Sequence, residues 1–122
     1  MGAIERFEAN ARRSRMVAHG ETVYLAGQVA DDRDGDITVQ VTQALRKTDE
    51  LLLAAGSDKS HLLSATLWLK TMDDYDAMNR VWDAWLPPGC APARSCGVVP
   101  MADPRLRVEV IVIAARRMPA AD

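Results

Sequence analysis

Apolar residues recur along this chain with two different periods, and each change of period marks an element. Residues 15–19 and 22–29 are short, apolar and partly β-branched, and His19-Gly20-Glu21-Thr22 between them can turn, which predicts a hairpin. The run Asp-Asp-Arg-Asp-Gly-Asp at 31–36 is a polar break. Beyond it Val41, Leu45, Thr48, Leu52 and Ala55 recur at helical spacing, and Gly56 supplies a C-terminal stop. The period then drops to two over 63–69. Leu63, Ala65, Leu67 and Leu69 take one face, and Ser64, Thr66, Trp68 and Lys70 the other. Asp73 or Asp74 is placed to cap a second helix, whose apolar stripe is Tyr75, Met78, Val81 or Trp82, and Trp85. Pro87-Pro88-Gly89 ends it. Two more strands are predicted at 93–99 and 107–115, joined through Pro100 and Pro104, and an extra edge strand at Ile4–Phe7.

Two helices with five or six strands make an α+β domain in which both helices cover one face of a sheet. The last strand is apolar on both faces, with Ile111 and Ile113 opposite Val108, Val110 and Val112. A strand of that kind is buried on both sides. With two helices available, another subunit is the simplest cover for the second face; the alternative is a monomer with a twisted, two-sided core.

Composition narrows the class. The chain has 122 residues, which suits one domain over 1–122, and its 48% hydrophobic and 26% charged residues are those of a globular protein. A formal net charge of −2 gives no general pull toward nucleic acid or an anionic membrane. The N-terminal residues are interrupted by charges and do not read as a signal peptide, and no apolar run is long enough to span a bilayer. Two cysteines, Cys90 and Cys96, do not make a disulfide framework, so the expectation is a cytoplasmic protein with free thiols. Asp32, Asp34 and Asp36 superficially resemble a calcium loop, but Ile37 stands where that loop needs glycine and Gln43 where it needs its last carboxylate. His19 and His61 lack metal-ligand spacing, and there is no glycine-rich phosphate loop or Gly-x-Ser-x-Gly turn. No metal site is expected.

Glu109 is the most informative residue, because it interrupts the most apolar strand in the chain. A carboxylate buried there must be paired, hydrogen-bonded or protonated, states that recur at reaction sites. At an exposed strand end or in a core salt bridge it would be structural only. Arg94, in a mostly uncharged strand, is the natural partner: its planar guanidinium matches either Glu109 or the carboxylate of a small acid. Cys96 shares a strand face with Arg94 and is either a thiol activated by that cation or simple packing. The cluster Arg12, Arg13, Arg15 is either a solvated edge or a contact for an anion.

The segments Val-Tyr-Leu-Ala-Gly-Gln-Val at 23–29, Asp-Tyr-Asp-Ala-Met-Asn-Arg-Val-Trp-Asp-Ala-Trp at 74–85, Pro-Ala-Arg-Ser-Cys at 92–96 and Arg-Val-Glu-Val-Ile-Val-Ile-Ala-Ala at 107–115 resemble the RidA/YjgF family in order and spacing, over about residues 13–116. The resemblance implies a chorismate-mutase-like α+β fold and a homotrimer with sites between subunits. It also implies cofactor-free hydrolysis of 2-imino and enamine acids, released by pyridoxal-phosphate enzymes, to 2-oxo acids and ammonia. In that pattern Arg94 holds the substrate carboxylate, Glu109 positions the attacking water, and the backbone around Cys96 contacts the reacting atoms. Gly27 and Gln28 line the site, and Asn79 is the residue usually present in the second helix. Arg13, or Ser14 in a shifted alignment, stands in place of the substrate-side tyrosine of the best-studied members, and Ala26 in place of their serine. The competing readings are a non-catalytic trimeric binder of small carboxylates, or an endoribonuclease or translation-inhibitor activity.

Overall fold

The computed structural model describes residues 2–117. Its elements run β1 (Ile4–Phe7), β2 (Met16–His19), β3 (Thr22–Leu25), α1 (Ile37–Ala54), β4 (Leu62–Leu69), α2 (Tyr75–Trp85), β5 (Ala93–Val98) and β6 (Val108–Ala115). The six strands form one mixed sheet in the order β1-β2-β3-β6-β4-β5, in which only the β4–β5 pair is parallel.

The helix α1 starts where the polar break ends: the Asp36 side chain accepts from the Val39 N–H at 2.9 Å. Its expected stripe is the observed one, since Val41, Leu45, Thr48, Leu52 and Ala55 are all buried. Beside it Met78 and Trp82 of α2 are buried, and Trp85 donates from Nε1 to Asp49 of α1 at 2.9 Å, tying the two helices together. Both helices pack on the face carrying Val108, Val110, Val112, Ala65, Leu67 and Leu69. The opposite face holds Thr66, Trp68, Ile111 and Ile113, each only half-buried in the single chain. The final strand is therefore apolar on both faces but covered on one.

Three expectations need correction. Leu63 does not share a face with Ala65: a register shift between Leu62 and Ser64 buries Leu62 and leaves Leu63 exposed. The expected cap of α2 by Asp73 or Asp74 is not made. A short 3₁₀ turn (Met72–Asp74), capped by Thr71, runs straight into the helix. The Asp74 carboxylate is released for a two-pronged ion pair with Arg107 at 2.9 and 3.1 Å. Finally, the strand expected over 22–29 breaks after Leu25 and pairs again only at Gln28, which exchanges both backbone hydrogen bonds with Val110 at 2.8 and 3.0 Å. That interruption shapes the site.

Candidate functional site

Glu109 points away from Val108 and Val110, toward the face the helices leave uncovered. Gly27 lies directly over its side chain. The break after Leu25 lets the backbone turn inward: Ala26 N–H bonds to Arg15 C=O at 3.0 Å on one side, and Gln28 is tied to Val110 on the other. A Cβ on Gly27 would fall on the Glu109 carboxylate, 2.6 Å from its carbon and 2.8 Å from Cγ. Gly27 is thus a glycine because Glu109 occupies the space a side chain would take.

The Glu109 carboxylate has no salt-bridge partner among the described residues, and burial pushes its pKa up from the usual 4.5. It lines a cleft of about 600 Å³ together with Gly27, Gln28, Arg13 and Arg15. Gln28 is buried there. It donates to Ala26 C=O at 2.9 Å and accepts from Arg15 at 3.2 Å, fixing Arg15 at the rim. Arg33 and Lys47 also face the cleft, held by Asp103 at 2.8 Å and Asp31 at 2.9 Å.

Arg94 sits on the edge strand β5 and is held from the helix side. Its Nη2 donates to Asn79 Oδ1 at 2.8 Å and to the Tyr75 hydroxyl at 3.4 Å. Its guanidinium carbon lies 5.6 Å from the Trp82 ring centre and 5.9 Å from that of Tyr75. No carboxylate pairs with it among the described residues. Cys96 follows on the same face and packs against the core. Burial raises its thiol pKa and outweighs the lowering effect of the Arg94 charge, so the thiol stays protonated near neutrality.

The pairing of Arg94 with Glu109 that their chemistry suggests is not made. In sheet register Arg94 stands across from Ala65 and Glu109 across from Trp68, which lie on opposite faces of β4. With β4 between them, β5 and β6 are about 10 Å apart. Within one chain the structure brings Glu109, Gly27, Gln28 and Arg13 to one cleft and Arg94, Asn79 and Cys96 to another place. The helical spacing of Tyr75 and Trp82 marks them as core and gives no sign that they also cradle a guanidinium. Nor does spacing divide the basic cluster, in which Arg13 and Arg15 face the cleft and Arg12 does not. Among the described residues no group of three or more His, Cys, Asp or Glu side chains is placed to hold a metal, and no helix is long and apolar enough to cross a membrane.

Comparison with known proteins gives a consistent picture. An uncharacterized protein from Pseudomonas aeruginosa superposes with a TM-score of 0.92 at 50% identity, covering 94% of this chain and 100% of that one. NMB1025 of Neisseria meningitidis, a YjgF family member, gives 0.92 at 36% identity over 96% and 98% of the two chains. The RutC family protein YoaB of Escherichia coli is 38% identical over 92% of this chain and 97% of its own. The mouse 2-iminobutanoate/2-iminopropanoate deaminase is 31% identical over 83% and 78%. The family model described as endoribonuclease L-PSP matches residues 3–116, and the chain belongs to that family, the YjgF/RidA group its motifs resemble.

Proposed function

We propose that the protein is a cytoplasmic deaminase that hydrolyses 2-imino and enamine acids to 2-oxo acids and ammonia, without a cofactor, at sites between the subunits of a homotrimer. One observation carries the reading. A guanidinium and a carboxylate of suitable chemistry are each held in place, yet each lacks a charged partner among the described residues of the chain. Arg94 is fixed by Asn79, Tyr75 and Trp82 on an edge strand, and Glu109 sits half-buried under Gly27 on the uncovered face. A second copy packed against that face supplies both the cover that Ile111 and Ile113 need and the Arg94 that completes a cleft. The two free thiols suit a reducing compartment, and the mouse deaminase is a relative with the named activity.

In this site Arg94 takes the substrate carboxylate in a two-pronged contact. Water attacks the carbon of the protonated imine, and Glu109 accepts the water proton. The carbinolamine that forms has one new C–O bond. Glu109 returns that proton to nitrogen; as the C–N bond breaks and the C=O bond forms, Glu109 takes the hydroxyl proton and passes it to the departing ammonia, so that a 2-oxo acid and ammonium leave and Glu109 is again ionised. The raised pKa of Glu109 brings it closer to the range where it can both take and return a proton. A pure carboxylate binder has no use for an unpaired carboxylate in the cleft. A nuclease needs a run of free cations along a phosphate chain; Arg15, Arg33 and Lys47 are already engaged by Glu8, Asp103 and Asp31. The test is a coupled assay in which an amino-acid oxidase generates imines. Accelerated imine loss that disappears with Arg94→Ala supports the reading, and no acceleration with any imine refutes it.

A further inference from the structure

The walls of the cleft beside Glu109 are charged where a site for an alkyl side chain would be apolar. Arg13, Arg15, Arg33 and Lys47 face it with Glu8 and Glu109; Arg15, Arg33 and Lys47 are offset by Glu8, Asp103 and Asp31, which leaves Arg13 as the unpaired cation of this lining among the described residues. Only Ala26, Gly27 and Val29 give it apolar surface, so a hydrocarbon side chain gains little burial there. The cations differ in freedom. Arg33 and Lys47 are tied to Asp103 and Asp31, and Arg15 is shared between Gln28 at 3.2 Å and Glu8 at 3.4 Å. Arg13 engages only through its backbone, which donates to the Asn10 side chain at 2.9 Å and accepts from the Asn10 N–H at 2.8 Å. The turn pins the Arg13 main chain, and its guanidinium has no partner among the described residues.

We propose that the cleft selects 2-imino acids that carry a second carboxylate at the end of the side chain, with Arg13 as the specificity-determining residue. The inference rests on the imine hydrolysis proposed above: Arg94 takes the carboxylate beside the reacting carbon, and Arg13 takes the distal one. A guanidinium meets that carboxylate in a charge-assisted, two-pronged match. Arg15, braced by Gln28, adds positive potential without leaving its place. A 2-imino diacid stays net negative when its imine is protonated, so the unpaired Arg13 charge attracts it, whereas a 2-imino monoacid is then neutral overall. The reaction that supplies such a substrate is oxidation of an acidic amino acid at its α-carbon.

The experiment compares imines generated in situ from alanine and leucine with those from aspartate and glutamate, each by a suitable oxidase, and follows their loss with the full-length protein. The diacid imines are expected to show kcat/KM at least about tenfold above the others. Arg13→Gln is expected to cut that ratio about 10- to 100-fold, the weight of one charge-assisted contact. Arg13→Lys restores part of it, and added salt lowers it because Arg13 is exposed. A wild-type ratio near one, or a ratio that Arg13→Gln leaves unmoved, overturns the inference. If no imine is hydrolysed at all, the parent reading fails, and calorimetry with 2-oxoglutarate against 2-oxobutanoate then decides this one. Tighter diacid binding that Arg13→Gln abolishes sustains it; equal binding overturns it.

Discussion

Replacing Gly27 by alanine distinguishes a Glu109 that must be held in place from one that merely lies nearby. The new methyl would stand 2.6 Å from the Glu109 carboxyl carbon and 2.8 Å from Cγ, where about 3.5–4 Å is the comfortable carbon–carbon separation. The side chain must therefore swing away by about 1 Å or more. Because the obstructed group is the far end of a flexible side chain, the fold can accommodate the change. The off-rotamer shift of Glu109 costs about 0.5–1.5 kcal/mol, and loss of glycine freedom in the unfolded chain returns about 0.4–1 kcal/mol. The net stability change is within about 1 kcal/mol, a few degrees in Tm for a domain of this size. A displacement of about 1 Å at a reacting group costs about 100-fold in rate. Gly27→Ala should thus give a folded protein with kcat for imine hydrolysis reduced about 100-fold. Imine-loss kinetics alongside a thermal melt read both quantities. Wild-type turnover in the folded variant would refute the role of Gly27 in placing Glu109, and a collapsed melt would show that the contact is structural.

Glu109→Gln should lose turnover by about 10²–10⁴-fold, the worth of one positioned acid–base group, as single-turnover kinetics can measure. The same variant has a pH signature. Burial raises the Glu109 pKa above its unfolded value, so the folded state binds the proton more tightly, and ionised Glu109 opposes folding once pH rises above about 4.5. Glu109→Gln should therefore melt higher than wild type at pH 7, with the difference fading toward pH 4; a lower melting point at pH 7 would mean a paired carboxylate. Asn79→Ala should raise KM several-fold, and Asn79→Asp should raise it further, because a carboxylate beside Arg94 competes with that of the substrate; equal KM values in steady-state kinetics would remove Asn79 as a positioning residue. Cys96→Ser should keep most activity, since the thiol is protonated near neutrality; stoichiometric inactivation of the wild type by iodoacetamide at Cys96 would contradict that.

Much of this fold is legible in the sequence because periodicity reports burial directly. Val41, Leu45, Thr48, Leu52 and Ala55 had to share a helix face, and that face is the buried one. What periodicity misses is any local event that changes the count. A single bulge moves Leu63 from core to solvent. A 3₁₀ turn ahead of α2 turns Asp74 from a cap into the partner of Arg107. The fully buried Gln40 is invisible for another reason: its bonds reach the carbonyls of Arg33, Gly35 and Arg105 and the N–H of Arg107, and Arg105 and Arg107 lie far away in sequence. The chemistry of Arg94 and Glu109 could be read from their odd placement in apolar strands. Their separation could not, because it depends on β4 lying between β5 and β6. Nor does spacing reveal that Gly27 is pressed onto Glu109, since the contact follows from the strand break at Ala26 and the return at Gln28.

The claim that one chain supplies Arg94 and another Glu109 is tested most directly by mixing two inactive variants. Arg94→Ala and Glu109→Gln homo-oligomers each lack one half of every site. Subunits exchanged between them at equal amounts should rebuild intact sites wherever a Glu109→Gln subunit lends its Arg94 to the Glu109 of an Arg94→Ala neighbour. In a cyclic trimer with head-to-tail interfaces, random mixing makes about one site in four intact. Native mass spectrometry establishes that mixed oligomers form, and the imine-loss assay should then recover about a quarter of wild-type activity. Mixed oligomers that remain as inactive as their parents would contradict the shared site.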